Sequence, residues 1–585
     1  MEILEHLATG IATVLSPQNL VLLALGVLVG MVVGVMPGLG PSAGIAILLP
    51  LTFSLDPTGA IVMLAAIYYG AMYGGTITSV LINTPGESAT VASTFDGYPL
   101  ARRGRAGPAL VMAAVASFVA GTVGTLLISV AAPLLASVTS RFGPPELFLL
   151  VLAGLLTLVV VIGRNRLLGG LSALMGFVLA TVGVDIGGGE QRFTFGSPEL
   201  INGIDFIPVA IGIFGLGEVF HTLYRGGYLE RLGYFSVSAR AKGFWPNRAD
   251  VLESRGPILR GSFLGFFVGT TPGAGATVAS LMSYSVEKSL SAKPERFGKG
   301  AMPGLVGPEA ANNAASAGAM VPLLTLGIPG SASTAVLLGG FLMWGLQPGP
   351  LLMEQNPEFA WGLIASMYLG NAMLLLVNIF CIPAFAGIAR VPFRVLAPII
   401  VVLCTFGTFT VNASMVDVAV MIGCGVLGFF MRLHGFSPAA LVVALVLGPI
   451  AEESLRQTMI ISQGSPDIFV QRPASIVLLA LMVVLVVLPV LLSGRQRGHG
   501  PALDQGRDEE QRRRTDQGAG EDQGQAEEQG QAEEQGQAEE QGQAEEQGQA
   551  EEQGQAEEQG QAEEQGQAEE QGEDQEPDRS SATTP

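Results

Sequence analysis

The side chains best equipped for chemistry sit in a stretch that is otherwise apolar enough to be membrane material. Residues 307–350 carry Glu309, the pair Asn312-Asn313, the step Pro329-Gly330, and Ser331, Ser333 and Thr334. An unpaired polar group at bilayer depth costs several kcal/mol, so irregular backbone persists there only inside protein or beside a wet cavity. Proline withholds a backbone donor and glycine admits close approach. A helix interrupted by such a pair exposes the N–H groups of the next half-helix, whose dipole end carries about half a positive charge. Hydroxyls add neutral donors. That set suits an anion, while the Asn312 and Asn313 carbonyls, with Glu309, could also contact a coupling cation. The stretch is therefore expected to line a substrate site.

It has a counterpart. Gly34–Gly44 (GVMPGLGPSAG) resembles Gly269–Ala279 (GTTPGAGATVA), and Ile82–Val91 (INTPGESATV) resembles Gly327–Val336 (GIPGSASTAV). The pairs come in the same order, offset by 235 and 244 residues. Interrupted helices in corresponding positions of two halves point to a transporter's central site. The expected substrate-binding residues are Gly38, Gly40, Asn83, Thr84, Pro85, Gly86 and Ser88 from the first half. Gly273, Gly275, Asn312, Asn313, Pro329, Gly330, Ser331, Ser333 and Thr334 come from the second. For any single motif, a helix kink or close helix packing explains Pro-Gly and small residues as well. Two matched pairs argue for a shared site.

The elements that must position these residues are helices in a bilayer. Of 585 residues, 49% are hydrophobic and 14% charged, and 78 are glycine. That composition fits a polytopic membrane protein and not a soluble one of this size. The formal net charge of −20 belongs to the tail: residues 494–585 hold 27 acidic and 7 basic side chains, leaving residues 1–493 with 23 of each sign. It carries no information about the substrate. Hydropathy predicts an all-α polytopic fold of about eleven or twelve crossings, in two repeats of expected inverted topology with Pro-Gly-broken helices. The segmentation is an interfacial segment 1–16, a first transmembrane repeat 17–224 and a basic polar loop 225–258. A second repeat with closing helices spans 259–493, followed by a tail 494–585 in which QAEEQG recurs eight times between Gln525 and Gly572. The tail has nothing to bury and is expected to be disordered. Residues 96–107, DGYPLARRGRAG, read as a basic loop with Asp96–Pro99 as a turn. Arg102, Arg103 and Arg105 serve as topology determinants under the positive-inside rule, which also puts the carboxyl end in the cytoplasm.

Other chemistries find no foothold. Cys381, Cys404 and Cys424 lie in apolar runs without metal-ligand spacing, and His6, His221, His434 and His499 are scattered. A membrane-embedded enzyme would want paired carboxylates, a nucleophile system or metal ligands at depth. A channel would want rings of charge or filter residues. Glu218, within IGIFGLGEVFHTL, is a candidate buried carboxylate or an interfacial one. Glu452, Glu453 and Arg456 read as a charged cluster at a span's end.

PGLGPSAGIAILLPLTF (37–53), the run 68–107 containing INTPGESATV, TPGAGATVAS (271–280), PEAANNAASAGAMVPLLTLGIPGSASTAVLLGG (308–340) and GLQPGP (345–350) resemble the large membrane subunit of tripartite tricarboxylate transporters (TctA-type) over about 10–490. The resemblance implies a non-enzymatic, ion-gradient-driven permease without cofactors, coupled to Na⁺ or H⁺. The resemblance also implies a place in the inner membrane of a prokaryote. The implied partners are a small membrane subunit (TctB-type) and an extracytoplasmic solute-binding protein (TctC-type) that delivers a carboxylate. The repetitive tail lies outside the family pattern.

Overall fold

The computed structural model describes residues 2–496 except Pro37, 163–165, Ile186, 226–243, Ala274, Pro350, 389–390 and Pro392. The chain divides into two units, 1–490 and 491–585. The acidic repeats expected to be disordered fall outside the described residues.

In the first half, α1 (Glu2–Val14), α2 (Pro17–Val35), α3 (Pro41–Leu48) and α4 (Pro57–Ile82) are followed by α5 (Val91–Leu100), the 34-residue α6 (Ala106–Thr139), α7 (Pro144–Ile162) and α8 (Arg166–Ala180). Then come α9 (Phe206–Ala210) and α10 (Gly217–Arg225), joined by a π-helical stretch. The second half begins with α11 (Arg248–Gly269), α12 (Gly275–Leu290), α13 (Met302–Gly318), α14 (Met320–Leu326) and α15 (Ala332–Met343). It closes with α16 (Leu352–Gln355), α17 (Pro357–Ile388), α18 (Phe393–Asn412), α19 (Met415–His434), α20 (Pro438–Ile461), α21 (Ile468–Gln471) and α22 (Pro473–Gln496). Local chemistry explains the starts. Ser16 caps α2 and Asp56 caps α4, each ahead of a proline at the first helical position, where its missing N–H is not needed.

Among the described residues, eight helical stretches are long and apolar enough to cross a membrane, and six shorter apolar helices accompany them. The protein is a multi-pass membrane protein. The long apolar set is smaller than eleven or twelve because several segments are short, and α13 trades apolar residues for Glu309, Asn312, Asn313 and Ser316.

Two helix pairs set the framework. α2 lies on α4 through Gly26, Gly30 and Gly34, which meet Met63, Ile67 and Ala71. α11 lies on α13 through Gly261, Gly265 and Gly269, which meet Gly307, Ala311 and Ala315. A methyl on Gly265 or Gly269 would stand 2.6 Å from the Cα of its partner, so only glycine permits this approach. Corresponding members of the two ladders are separated by the offsets of 235 and 244 residues found in the motifs. Between α4, α6 and α17, Asn371 accepts from Tyr73 Oη at 2.6 Å and donates to Phe118 O at 2.7 Å and Thr122 Oγ1 at 3.0 Å.

Two segments differ from the sequence reading. Residues 96–107 are mostly helical: α5 runs through Pro99 to Leu100, and the chain kinks at Gly104, φ 75°, before α6. Asp96 is not in a turn. It is fully buried and accepts from the Gly300 and Ala301 N–H groups at 2.7 Å each and from Tyr284 Oη at 3.1 Å. Arg105 Nη2 meets both oxygens of Asp250 at 2.6 Å. Within the expected loop 225–258, residues 226–243 lie outside the described ones, and 248–258 form the first turns of α11. Glu452 and Arg456 join a clasp on a short hairpin, Gly183–Val184 against Gln191–Arg192. Arg456 pairs with Asp185, which Arg192 also meets at 3.2 Å, and Arg192 reaches Glu452 at 2.8 Å. The Arg456 hydrogen bond, chiefly, holds the Asp185 carboxyl at about 2.

Candidate functional site

Each of the four motif segments lies between two helices. α2 ends at Val35 and α3 starts at Pro41, with Gly38 at φ 93° between them. α11 ends at Gly269 and α12 starts at Gly275, with Gly273 at φ 86°. Those positive angles are open to glycine and strained for residues with a Cβ. α4 ends in left-handed Asn83, φ 55°, and α14 ends in left-handed Gly327, φ 69°. The exits match as well: Glu87 N–H donates to Thr90 Oγ1 at 3.5 Å, and Ser331 N–H donates to Thr334 Oγ1 at 2.8 Å. Ser331 Oγ accepts in return from Thr334 N–H at 3.2 Å, a reciprocal cap for α15.

These segments converge on a cavity of about 750 Å³. Gly38 and Gly40, then Pro85, Gly86 and Ser88, form one side of its lining; Gly273 and Gly275, then Ser331 and Ser333, form another. Two direct bonds tie them together. Ser88 Oγ meets Thr277 Oγ1 at 2.8 Å, and Gly273 N–H donates to Gly330 O at 3.1 Å. The N-termini of α3, α12 and α15 therefore open at the cavity, where their free N–H groups favour negative charge.

The remaining expected residues stand off the wall. Asn83 is exposed at its helix end, and Thr84 donates to Ile82 O at 3.2 Å. Pro329, Gly330 and Thr334 are buried in the turn and the α15 cap. Glu309 is fully buried and accepts from Thr76 Oγ1 at 2.7 Å and from Ser93 Oγ. Asn313 donates to Ser117 Oγ at 2.8 Å and Glu309 O at 3.1 Å. Asn312 differs from its neighbour: it is fully buried, and neither Nδ2 nor Oδ1 closes a hydrogen bond of normal geometry, although its amide interacts with the Glu87 carboxyl. Glu87 Oε1 is likewise shut away without such a bond, although the residue reaches the cavity wall.

Three charged side chains line the cavity among the described residues: Glu87, Glu218 and Arg432. Arg432 Nη2 approaches Glu218 Oε2 at 3.0 Å. Sequence reasoning considered Glu218 but passed over Glu87 and Arg432. Glu87 stands inside NTPGES, overshadowed by the Pro-Gly step. Arg432 is a lone guanidinium in the apolar run GFFMRLHGF, and the rule that drew attention to Glu218 would have found it.

Comparison with known proteins agrees with this architecture. The chain is 44% identical over 497 residues to the "Uncharacterized 52.8 kDa protein in TAR-I ttuC' 3'region" of Agrobacterium vitis, covering 85% of this chain and 98% of that protein. It is 42% identical over 233 residues to the "Uncharacterized protein in TAR-II ttuC' 3'region" of the same organism, covering 40% and 96% respectively. No solved structure matches. The profile described as "Tripartite tricarboxylate transporter TctA family" matches residues 20–443, all four broken segments included, and the chain belongs to that family of multi-pass transporter components.

Proposed function

We propose that this chain is the permease subunit of a secondary transporter that imports tricarboxylates or related organic acids by alternating access, driven by an ion gradient. The convergence of four glycine-bearing breaks on one cavity carries this reading. At about 750 Å³ the cavity lies within the ordinary range for small-molecule sites. Half-helix N-termini, Ser88, Ser331 and Ser333 supply donors around it. The matched glycine ladders and the paired left-handed ends at Asn83 and Gly327 support two halves related as inverted repeats, one moving against the other.

Charge balance supports coupling. Two carboxylates and one guanidinium line the wall, so an incoming polyanion needs further positive charge beside it. The coupling ion, Na⁺ or H⁺, enters next to Asn312, where Glu87 Oε1 and the amide lack hydrogen bonds of normal geometry, with Glu309 and Asn313 behind. A small TctB-type membrane subunit and a TctC-type extracytoplasmic binding protein complete the assembly in the inner membrane, with the tail on the cytoplasmic side. Proteoliposomes holding the chain and both partners should accumulate labelled di- or tricarboxylate when a Na⁺ or H⁺ gradient is imposed. No accumulation under either gradient, with both partners present, sinks the reading.

A further inference from the structure

We infer that Arg432 is the residue that receives a carboxylate of the substrate, and that Glu218 is an internal competitor which the substrate displaces. The inference rests on the reading of this cavity as a carboxylate site and names the side chain that recognises the ligand.

Arg432 is in the last turn of α19 and Glu218 in the first turn of α10, 214 residues apart in sequence. Among the described residues of the wall it is the one cationic side chain. The turn that follows it brings Gly435, Phe436 and Ser437 to the same wall. A guanidinium offers five N–H donors in a rigid fork that matches a carboxylate with two parallel bonds. Arg432 is engaged through Nη2 alone: it meets Glu218 Oε2 at 3.0 Å and donates to Ile213 O at 3.4 Å. Its Nε is buried without a partner.

Other arginine pairs in the same protein make two contacts each, and the Arg260–Glu287 pair is a completed fork. Arg260 contacts Glu287 through Nε at 2.8 Å and Nη2 at 2.5 Å. Arg105 reaches both oxygens of Asp250 at 2.6 Å, although through Nη2 alone. Those two pairs lie away from the cavity and tie helices or segments together. The Arg432 pair faces the cavity and makes one contact where they make two. A substrate carboxylate that forks onto Arg432 replaces a single contact with a double one, between groups of the same chemistry. Glu218 has neighbours to fall back on, with Thr222 Oγ1 at 3.4 Å and His221 Nδ1 at 4.0 Å from its Oε1. Room for the exchange comes from Gly38, where a methyl would stand 3.0 Å from Thr222 Oγ1 and 3.4 Å from Glu218 Oε1.

The two partners therefore have opposite effects on ligand affinity, which a structural ion pair does not produce. The test is equilibrium binding of labelled citrate, with succinate as a second probe, to the purified full-length protein in nanodiscs. Melting temperature and size-exclusion profile are recorded for each variant. Arg432→Gln should weaken citrate at least tenfold, and Arg432→Lys, which keeps the charge but not the fork, should fall between it and the native protein. Glu218→Gln, which removes the competitor, should bind citrate severalfold more tightly. Unchanged or weaker binding in Glu218→Gln overturns the inference, even where Arg432→Gln fails to fold. Native affinity in a folded Arg432→Gln overturns it equally. If the native protein binds neither probe, the carboxylate reading of the cavity itself falls.

Discussion

Adjacent asparagines in α13 should respond very differently to the same substitution. Asn313 makes two hydrogen bonds, to Ser117 Oγ and Glu309 O. Replacing it by leucine takes the donor from Ser117 Oγ, a buried group whose stranding costs about 1–3 kcal/mol, while Glu309 O keeps the helical N–H of residue 313. Asn312 makes none of normal geometry, although it is fully buried and its amide interacts with the Glu87 carboxyl. Burying an amide without such bonds costs about 1–3 kcal/mol on protein mutational scales. Leucine keeps the branched shape and has no polar atoms but is bulkier, so both variants carry an overpacking cost; Asn312→Leu alone sheds the amide cost and should melt well above Asn313→Leu. Its transport should suffer nonetheless. If the amide serves the coupling ion, gradient-driven uptake in proteoliposomes should fall at least tenfold in Asn312→Leu. The assay pairs a thermal melt in detergent with uptake, on both single variants. Asn312→Leu melting as low as Asn313→Leu would refute the claim that its amide is held for a ligand. So would native ion-coupled uptake in Asn312→Leu.

The Ser88 and Thr277 hydroxyls, 2.8 Å apart across the cavity, should tolerate conversion to a cysteine pair that oxidises to a disulfide. Oxidation should abolish uptake and reduction restore it; full uptake by the cross-linked protein excludes relative motion of these two breaks. The native Cys404 and Cys424 are buried and Cys381 half-buried, which limits background. Asp96→Ala strands the Gly300 and Ala301 N–H groups, at about 1–3 kcal/mol each, so it should lower the melting temperature far more than Arg102→Ala on the same segment. Equal melting temperatures would show that the bonds from Asp96 contribute little.

The ends of the broken helices were legible because their cause is local. A proline removes a donor, a glycine accepts positive φ, and the neighbouring apolar runs announce the helices. Residues 96–107 were misread for the same reason: Gly97, Pro99, Gly104 and four basic or acidic neighbours have turn-like composition. Only the tertiary bonds from Asp96 to residues 300 and 301 and from Arg105 to Asp250 reveal why this segment is helical and anchored. Asn312 and Asn313 looked equivalent because identical side chains one residue apart face different neighbours around a helix, and no pattern in the sequence says which face is paired. The Arg432–Glu218 contact joins α19 to α10, and its significance comes from a shared wall that exists only after folding.

The glycine ladders have a consequence for how this protein can move. Gly26, Gly30 and Gly34 have no rotamers to freeze, and neither do Gly261, Gly265 and Gly269, so these contacts form without loss of side-chain entropy. Backbone lies directly on backbone, with no flexible side chain between to absorb a sliding step. Each ladder therefore works as a splint: α2 with α4, and α11 with α13, are stiff pairs carrying a break at the end. The alternation proposed above would then fall at the seams where these pairs meet other helices. The cavity lies on such a seam.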